Sequence, residues 1–224
     1  MSKLVLLNDV STELDEANLL VGDTDPPDSP KGKQQADVIS TFFQEKVKDI
    51  DLILSSDAQR IKKLVHKIRA DSKDQSLTSL VPRRLAALRE RSFGVLNRTP
   101  YSLESDIFRH TRIKPEKGES IFECRVRIMK YIVDVVEKCR DKTILMVSHP
   151  FVCQIAFNAI LQKDHTFVTD FWTQKGSFVI LNFEFGKYGV RWKLENAYNA
   201  ISNTSYTQQE IYSGILGKEG TLPC

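Results

Sequence analysis

Four side chains of this sequence are of types that handle phosphate; three follow short buried strands and Glu90 lies in a later mixed segment. Asp9 comes after Asn8 and Leu4-Val5-Leu6-Leu7, Arg60 after Leu52-Ile53-Leu54 and Ser55-Ser56-Asp57, Glu90 after Leu88-Arg89, and His149 after Val147-Ser148. A carboxylate attacks phosphorus or carries a proton, a guanidinium grips phosphate oxygens two at a time, and an imidazole does either job near neutral pH. Asn8-Asp9 stands at the exit of the first strand, where a phosphate-handling enzyme would carry its nucleophile. Asn8, Arg60, Glu90 and His149 are the candidate partners that the fold would have to bring to it.

The elements that must position them read as follows. Leu4–Leu7 is short and continuously apolar, Leu52–Leu54 repeats that pattern and Thr143–Val147 reads as another buried strand, as parallel strands covered on both faces do. Ligands of open α/β sheets bind beyond the carboxyl ends of such strands. Ser29-Pro30 opens a helix with Ala36, Ile39, Phe42 and Phe43 on one face, and Ile61, Leu64, Val65 and Ile68 mark a second. Gly118-Glu119-Ser120 opens a long helix with Ile121, Ile128, Ile132 and Val135 inward, and another follows His149. Phe178–Phe183 and Val190–Leu194 read as a closing hairpin, with Phe178, Phe42, Phe43 and Trp192 as core candidates. The stretch 11–28 is too rich in Gly and Pro for regular structure, 71–80 reads as a polar connector, and 97–117 suits a flap over the cleft. The whole predicts one α/β domain over 1–200, a three-layer α/β/α sandwich on a mostly parallel sheet with an antiparallel edge, and a peripheral tail over 201–224.

Composition narrows the classes. The chain has 224 residues, 41% of them hydrophobic, and 32 basic against 29 acidic side chains for a formal charge of +3. That balance announces neither a nucleic-acid nor a membrane-surface protein. The arginines between Arg83 and Arg98 lack interleaved aromatics and read as a solvated face, so nucleic acid ranks last among partners. Cys124, Cys139, Cys153 and Cys224 have no paired spacing, which favours reduced thiols in the cytosol or nucleus and no metal or other cofactor. No apolar stretch is long enough to span a membrane, and the N-terminus has no signal-peptide pattern. His66, His110 and His165 have no partner at ligand spacing.

Taken together, these motifs resemble the histidine phosphatase superfamily, the phosphoglycerate mutase-like group. Thr12, Gly22, Asp25, Pro27, Gly32, Gln35 and Ala36 fall in the register of that family's second loop and helix start. Ser55-Ser56-Asp57 with Arg60, the run Leu88–Gly94, Gly118-Glu119-Ser120 with Arg127, and Val147-Ser148-His149 continue the resemblance from about residue 4 to residue 184. The Leu88–Gly94 run and Asn182-Phe183-Glu184 look most like the fructose-2,6-bisphosphatase-like branch.

In such enzymes a histidine attacks phosphorus, arginines and a second histidine hold the equatorial oxygens, and a glutamic acid protonates the leaving oxygen. Here the resemblance puts Asp9 at the attacking histidine and Asn8 at the arginine before it, with Val10 and Ser11 following. It also puts Pro150-Phe151 where two glycines are usual, Gln154 at a commonly basic position and Thr173 at an asparagine. Aspartate is shorter than imidazole and adds negative charge where positive charge has gone. The expectation is therefore a degenerate, regulatory pseudoenzyme that binds a phosphorylated small molecule or a protein. The alternative is an active phosphomonoesterase of sugar phosphates working through a non-standard site. Individual readings also stay open: His149 as phosphate ligand or as a half-buried structural residue, Arg60 as anion site or as ion-pair partner of Asp9, and Glu90 as acid or as partner of a neighbouring arginine. If Phe151 fills the cleft, binding moves to the outer surface.

Overall fold

The computed structural model describes residues 2–101, 112–161, 170–187, 189–207 and 210–211. Much of the expected flap, the end of the tail, His110, His165 and Cys224 lie outside them.

Seven strands form one sheet in the order β3-β2-β4-β1-β5-β6-β7. β1 (Ser2–Leu7), β4 (Thr143–Val147), β2 (Leu52–Ser56) and β3 (Arg83–Leu85) run parallel. β5 (Ser177–Gly186), β6 (Gly189–Asn199) and β7 (Thr204–Tyr206) complete it as an antiparallel edge. Alternation along β1 splits the core in two. Leu4 and Leu6 pack on one face with α5 (Ile121–Lys138) and α6 (Pro150–Ile160). Val5 and Leu7 pack on the other with α2 (Pro30–Lys46) and α3 (Gln59–Ala70). Helices on both faces bury the central strands from both sides, which is why residues 4–7, 53–54 and 144–147 are apolar in unbroken runs. The three-layer α/β/α sandwich expected from the sequence is thus the architecture found.

Short elements were harder to foresee. Thr12 and Asp15 close a reciprocal cap around the single turn α1 (Glu13–Glu16), inside the stretch expected to be irregular. Asp74 caps α4 (Gln75–Ser79), whose Leu77 is buried, inside the expected connector. A last short helix, α7 (Asp170–Thr173), precedes β5. β7 pairs with β6 and Ile211 is buried in the core, so the tail expected from residue 201 begins by completing the sheet.

Two glycines of the resemblance set have steric reasons. Gly22 sits at a φ of +51°, and a Cβ on it would come 2.0 Å from Asn97 Oδ1. Gly32, in the first turn of α2, lies against the chain just past Asp9, where a Cβ would meet the Ser11 carbonyl oxygen at 1.9 Å. Gln35 Oε1 accepts the Ser11 N–H at 2.8 Å from the same helix. The backbone leaving β1 is thereby pinned to α2.

Candidate functional site

The exits of β1, β2 and β4 bring Asp9, Arg60 and His149 together, all almost completely buried. The Asp9 carboxylate is their meeting point. Its Oδ1 accepts from Lys175 Nζ at 2.9 Å, and its Oδ2 lies 3.2 Å from Arg60 Nε and 3.0 Å from His149 Nδ1. Burial alone would raise its pKa, but Lys175, His149 and Arg60 override that and hold it far below the usual carboxylate range. Lys175 answers in kind: burial would lower its ammonium, and Asp9 and Asp15 raise it instead.

Arg60 is engaged at each nitrogen. Besides Asp9, it donates through Nη1 to the Thr24 carbonyl at 2.7 Å and to Asp25 Oδ1 at 3.3 Å, and its Nη2 lies 2.9 Å from His149 Nδ1. Asp25 also accepts the N–H of Gln59 at 2.6 Å, which fastens the 22–28 loop to the start of α3. Of the two readings of Arg60, the ion pair with Asp9 is what the geometry contains.

His149 is fully rather than half buried. Burial and Arg60 press its pKa down to about 4 against the pull of Asp9, so the ring is neutral at pH 7. Its Nε2 lies 2.9 Å from Ser56 Oγ, and the hydroxyl serves either ring tautomer. Ser56, His149 and Asp9 thus line up in the order of an acyl-transfer triad. Ser56 is inaccessible, however, and its Oγ already accepts the Ala58 N–H at 3.3 Å, so it orients the ring and meets no substrate.

Asn8 is not brought into this cluster. Its Nδ2 donates to the carbonyls of Trp172 at 3.2 Å and Gln174 at 2.8 Å, so its donors hold the segment leading to Lys175 and are not aimed at an anion. Lys175 itself was missed in the sequence. Its only signal is its place two residues before β5, and that helps only once β5 is known to lie beside β1.

Beside the cluster is a cavity of about 180 Å³ reached by Arg60, His149 and Glu90. Asp23, Asp25 and Asp57 join Glu90 on its wall, against Arg60 and Arg89. Phe151 does not fill it. Its ring packs with the α5–α6 core and faces Arg91, whose guanidinium carbon is 5.3 Å from the Phe151 ring centre and 5.2 Å from that of Phe93. Arg91 is therefore a core residue and no part of a solvated face, while Arg89 is held by two bonds of 2.7 Å to Asp57.

Among the described residues no arginine forms an ion pair with Glu90, the ion pair being one of its two readings. Its oxygens accept the backbone N–H groups of Arg91 at 2.8 Å and Phe151 at 3.2 Å. Burial, with some help from the Asp9 charge, raises its pKa to about 7. An unfolded glutamate titrates near about 4.3. Between these values the folded chain holds the extra proton, so the Glu90 contribution is greatest at low pH and fades as pH rises through about 7. Glu90→Gln removes that loss. Its stability relative to wild type is expected to climb between roughly pH 4.3 and 7, read as urea midpoints across the range. A difference that stays flat would dismiss the buried, proton-holding carboxyl.

Among the described residues no group of His, Cys, Asp and Glu is arranged to hold a metal ion, and no helix is long and apolar enough to cross a membrane. Cys124 and Cys153 are buried and Cys139 half-buried, all as free thiols.

No curated protein matches the chain by sequence. Solved structures match its fold. Mycobacterial glucosyl-3-phosphoglycerate phosphatase in complex with VO3 superposes with a TM-score of 0.70 at 20% identity, covering 86% of this chain and 97% of that one. Phosphoserine phosphatase from Entamoeba histolytica, in complex with phosphoserine, gives 0.67 at 20% identity over 87% and 96% of the two chains. Alpha-ribazole phosphatase from Shigella flexneri gives 0.69 at 18% identity over 86% and 95%. The sequence profile of the Histidine phosphatase superfamily (branch 1) covers residues 11–196, beginning two residues past Asp9. A match of that extent makes the chain a member of the histidine phosphatase superfamily.

Proposed function

We propose that this chain keeps the frame of a histidine phosphatase without its phosphoryl chemistry, and that it works as a regulatory binding protein for a phosphorylated small molecule or a protein partner. The observation that carries the reading is the Asp9 carboxylate lying among Lys175, Arg60 and His149, where it takes up the donors a phosphate would need. A carboxylate so strongly stabilised as an anion is a poor nucleophile, and attack would require it to abandon all three partners. Its charge also opposes a phosphate dianion. Free thiols at Cys124, Cys139 and Cys153 suit the cytosol or nucleus.

A second reading has one observation in its favour. Glu90, with a pKa of about 7, shares the cavity with Arg60 and His149, as a proton donor to a leaving oxygen would. The relatives above are named as phosphatases, so on this reading the chain is a phosphomonoesterase of sugar phosphates with an unusual site. Phosphate release from sugar bisphosphates, phosphoglycerates and an aryl phosphate separates the two. Wild type is expected to release no more than Asp9→Ala, His149→Ala or Glu90→Gln, each checked for folding by circular dichroism. Turnover by wild type that the folded variants lose would replace the binding protein by the enzyme.

A further inference from the structure

The cavity beside the Asp9 cluster has lost the free positive charge that a phosphate would need. Arg60 is taken up by Asp9, Asp25 and the Thr24 carbonyl, Arg89 by Asp57, and Lys175 by Asp9. Asp9, Asp25 and Asp57 thus match those three cations in number. Asp23 and Glu90 are left over on the cavity wall, and neither has an ion-pair partner among the described residues. Asp23 is exposed and accepts from Asn97 Nδ2 at 2.7 Å.

Glu90 is what separates this wall from an ordinary acidic surface. It is only 9% exposed, it lines the cavity, and its two oxygens hold one backbone N–H each. A buried carboxyl ionises readily at neutral pH only when a cation compensates it. Burial and then the Asp9 charge hold its pKa at about 7, while the N–H groups of Arg91 and Phe151 and the more weakly felt Arg60 pull the other way. His149 beside it is neutral near pH 7, and Arg89 stays on Asp57. The compensating charge is therefore missing from the chain itself. No group of His, Cys, Asp and Glu among the described residues is arranged for a metal ion, so an organic cation, with several donors to reach carboxylates standing apart, suits the place.

We propose that this cavity receives a primary ammonium group on an alkyl chain, from a protein's lysine or a free amine, with Glu90 and Asp23 as its counter-charges. The proposal rests on the binding reading above and names the group that the partner presents. Its charge complements the wall where a phosphate dianion would be repelled.

Titration calorimetry on the full chain tests it. The probes are Nα-acetyl-lysine amide, the same compound acetylated on Nε and so uncharged, and 1,4-diaminobutane as a free amine. Wild type is expected to bind the cationic probes and not the uncharged one, and the tighter of the two cations identifies the source. An entering cation favours the ionised carboxyl, so binding at pH 7 is expected to release up to about half a proton, read from the heats in two buffers of different ionisation enthalpy. Affinity is expected to rise between about pH 6 and pH 8, through which the amines stay charged. Glu90→Gln is expected to weaken the cations at least about tenfold at the upper end, to release no proton and to flatten the pH profile. Asp23→Asn, at an exposed position, is expected to weaken them about two- to fivefold and to keep the proton release. Melting temperatures without ligand confirm that both variants fold. The proposal is overturned by a wild type that binds neither cation at millimolar concentration, by equal binding of the uncharged probe, or by affinity and proton release untouched in Glu90→Gln. None of these outcomes depends on phosphate turnover, whose appearance would displace the binding reading instead.

Discussion

Asp9→Ala is expected to cost about 3–5 kcal/mol of stability, because removing one partner of a buried charge cluster leaves the others uncompensated. Arg60 keeps Asp25 and the Thr24 carbonyl, so most of the loss falls on Lys175, whose remaining partner Asp15 is 3.4 Å away. For a chain of this size that is roughly 6–20 °C of melting temperature. The same substitution vacates a hole lined by a guanidinium, an ammonium and an imidazole, so inorganic phosphate or acetate should enter it. At a hundred times its Kd a ligand restores about 2.7 kcal/mol. Differential scanning calorimetry with and without phosphate reads both effects. The gain in Asp9→Ala is expected to exceed any gain in wild type, whose carboxylate already occupies the place. A variant within about 1 kcal/mol of wild type, or one no more responsive to phosphate, would mean that the carboxylate is not the internal substitute for an anion.

The second large effect is a gain. The double substitution Asn8→Arg with Asp9→His is expected to raise aryl phosphate hydrolysis at least about a hundredfold over wild type, since losing a nucleophile costs on the order of 10⁶ in kcat where it has been measured. It returns an imidazole to the nucleophile position and frees Arg60 and His149 for phosphate oxygens. Glu90→Gln on that background is expected to remove about 10²–10⁴ of the rate, as loss of a general acid does. The new arginine forfeits the bonds from Asn8 to Trp172 and Gln174, so a lower melting temperature accompanies the activity. A trapped phosphohistidine would identify the route. A folded double variant without turnover would show that Pro150, Phe151 and Gln154 have also reshaped the site beyond repair.

What was legible in the sequence follows from local physics. Leu4–Leu7, Leu52–Leu54 and Thr143–Val147 announce themselves because strands covered on both faces have no polar position to disguise them. Arg60 and His149 were legible because they follow such strands at short spacing, and Glu90 through the family resemblance of the run Leu88–Gly94. What escaped depends on distant partners. Lys175 meets Asp9 across 166 residues, so no window of sequence contains both. Arg91 is covered by Phe93 and Phe151, which come from separate segments, and donates to the Glu119 carbonyl from a third. Asn8 faced the wrong way for the same reason: its partners arrive with the segment ahead of β5. The cap of α1 was legible in principle, since Thr12 and Asp15 stand three apart, but the surrounding Gly and Pro residues masked it.

The position of β1 in the sheet also governs how the molecule must come into being. It is the first strand made, yet its neighbours are β4, paired as Lys3 with Thr143, and β5, paired as Val5 with Ile180. A ribosome adding about 5–20 residues per second therefore leaves this strand waiting until most of the chain has emerged. Such distant pairings close large loops and fold slowly. Through that interval Asp9 is an ordinary solvated carboxylate at the end of an orphaned apolar segment. Lys175 and β5 arrive almost together, so the charge cluster and the central strand are completed in one late event.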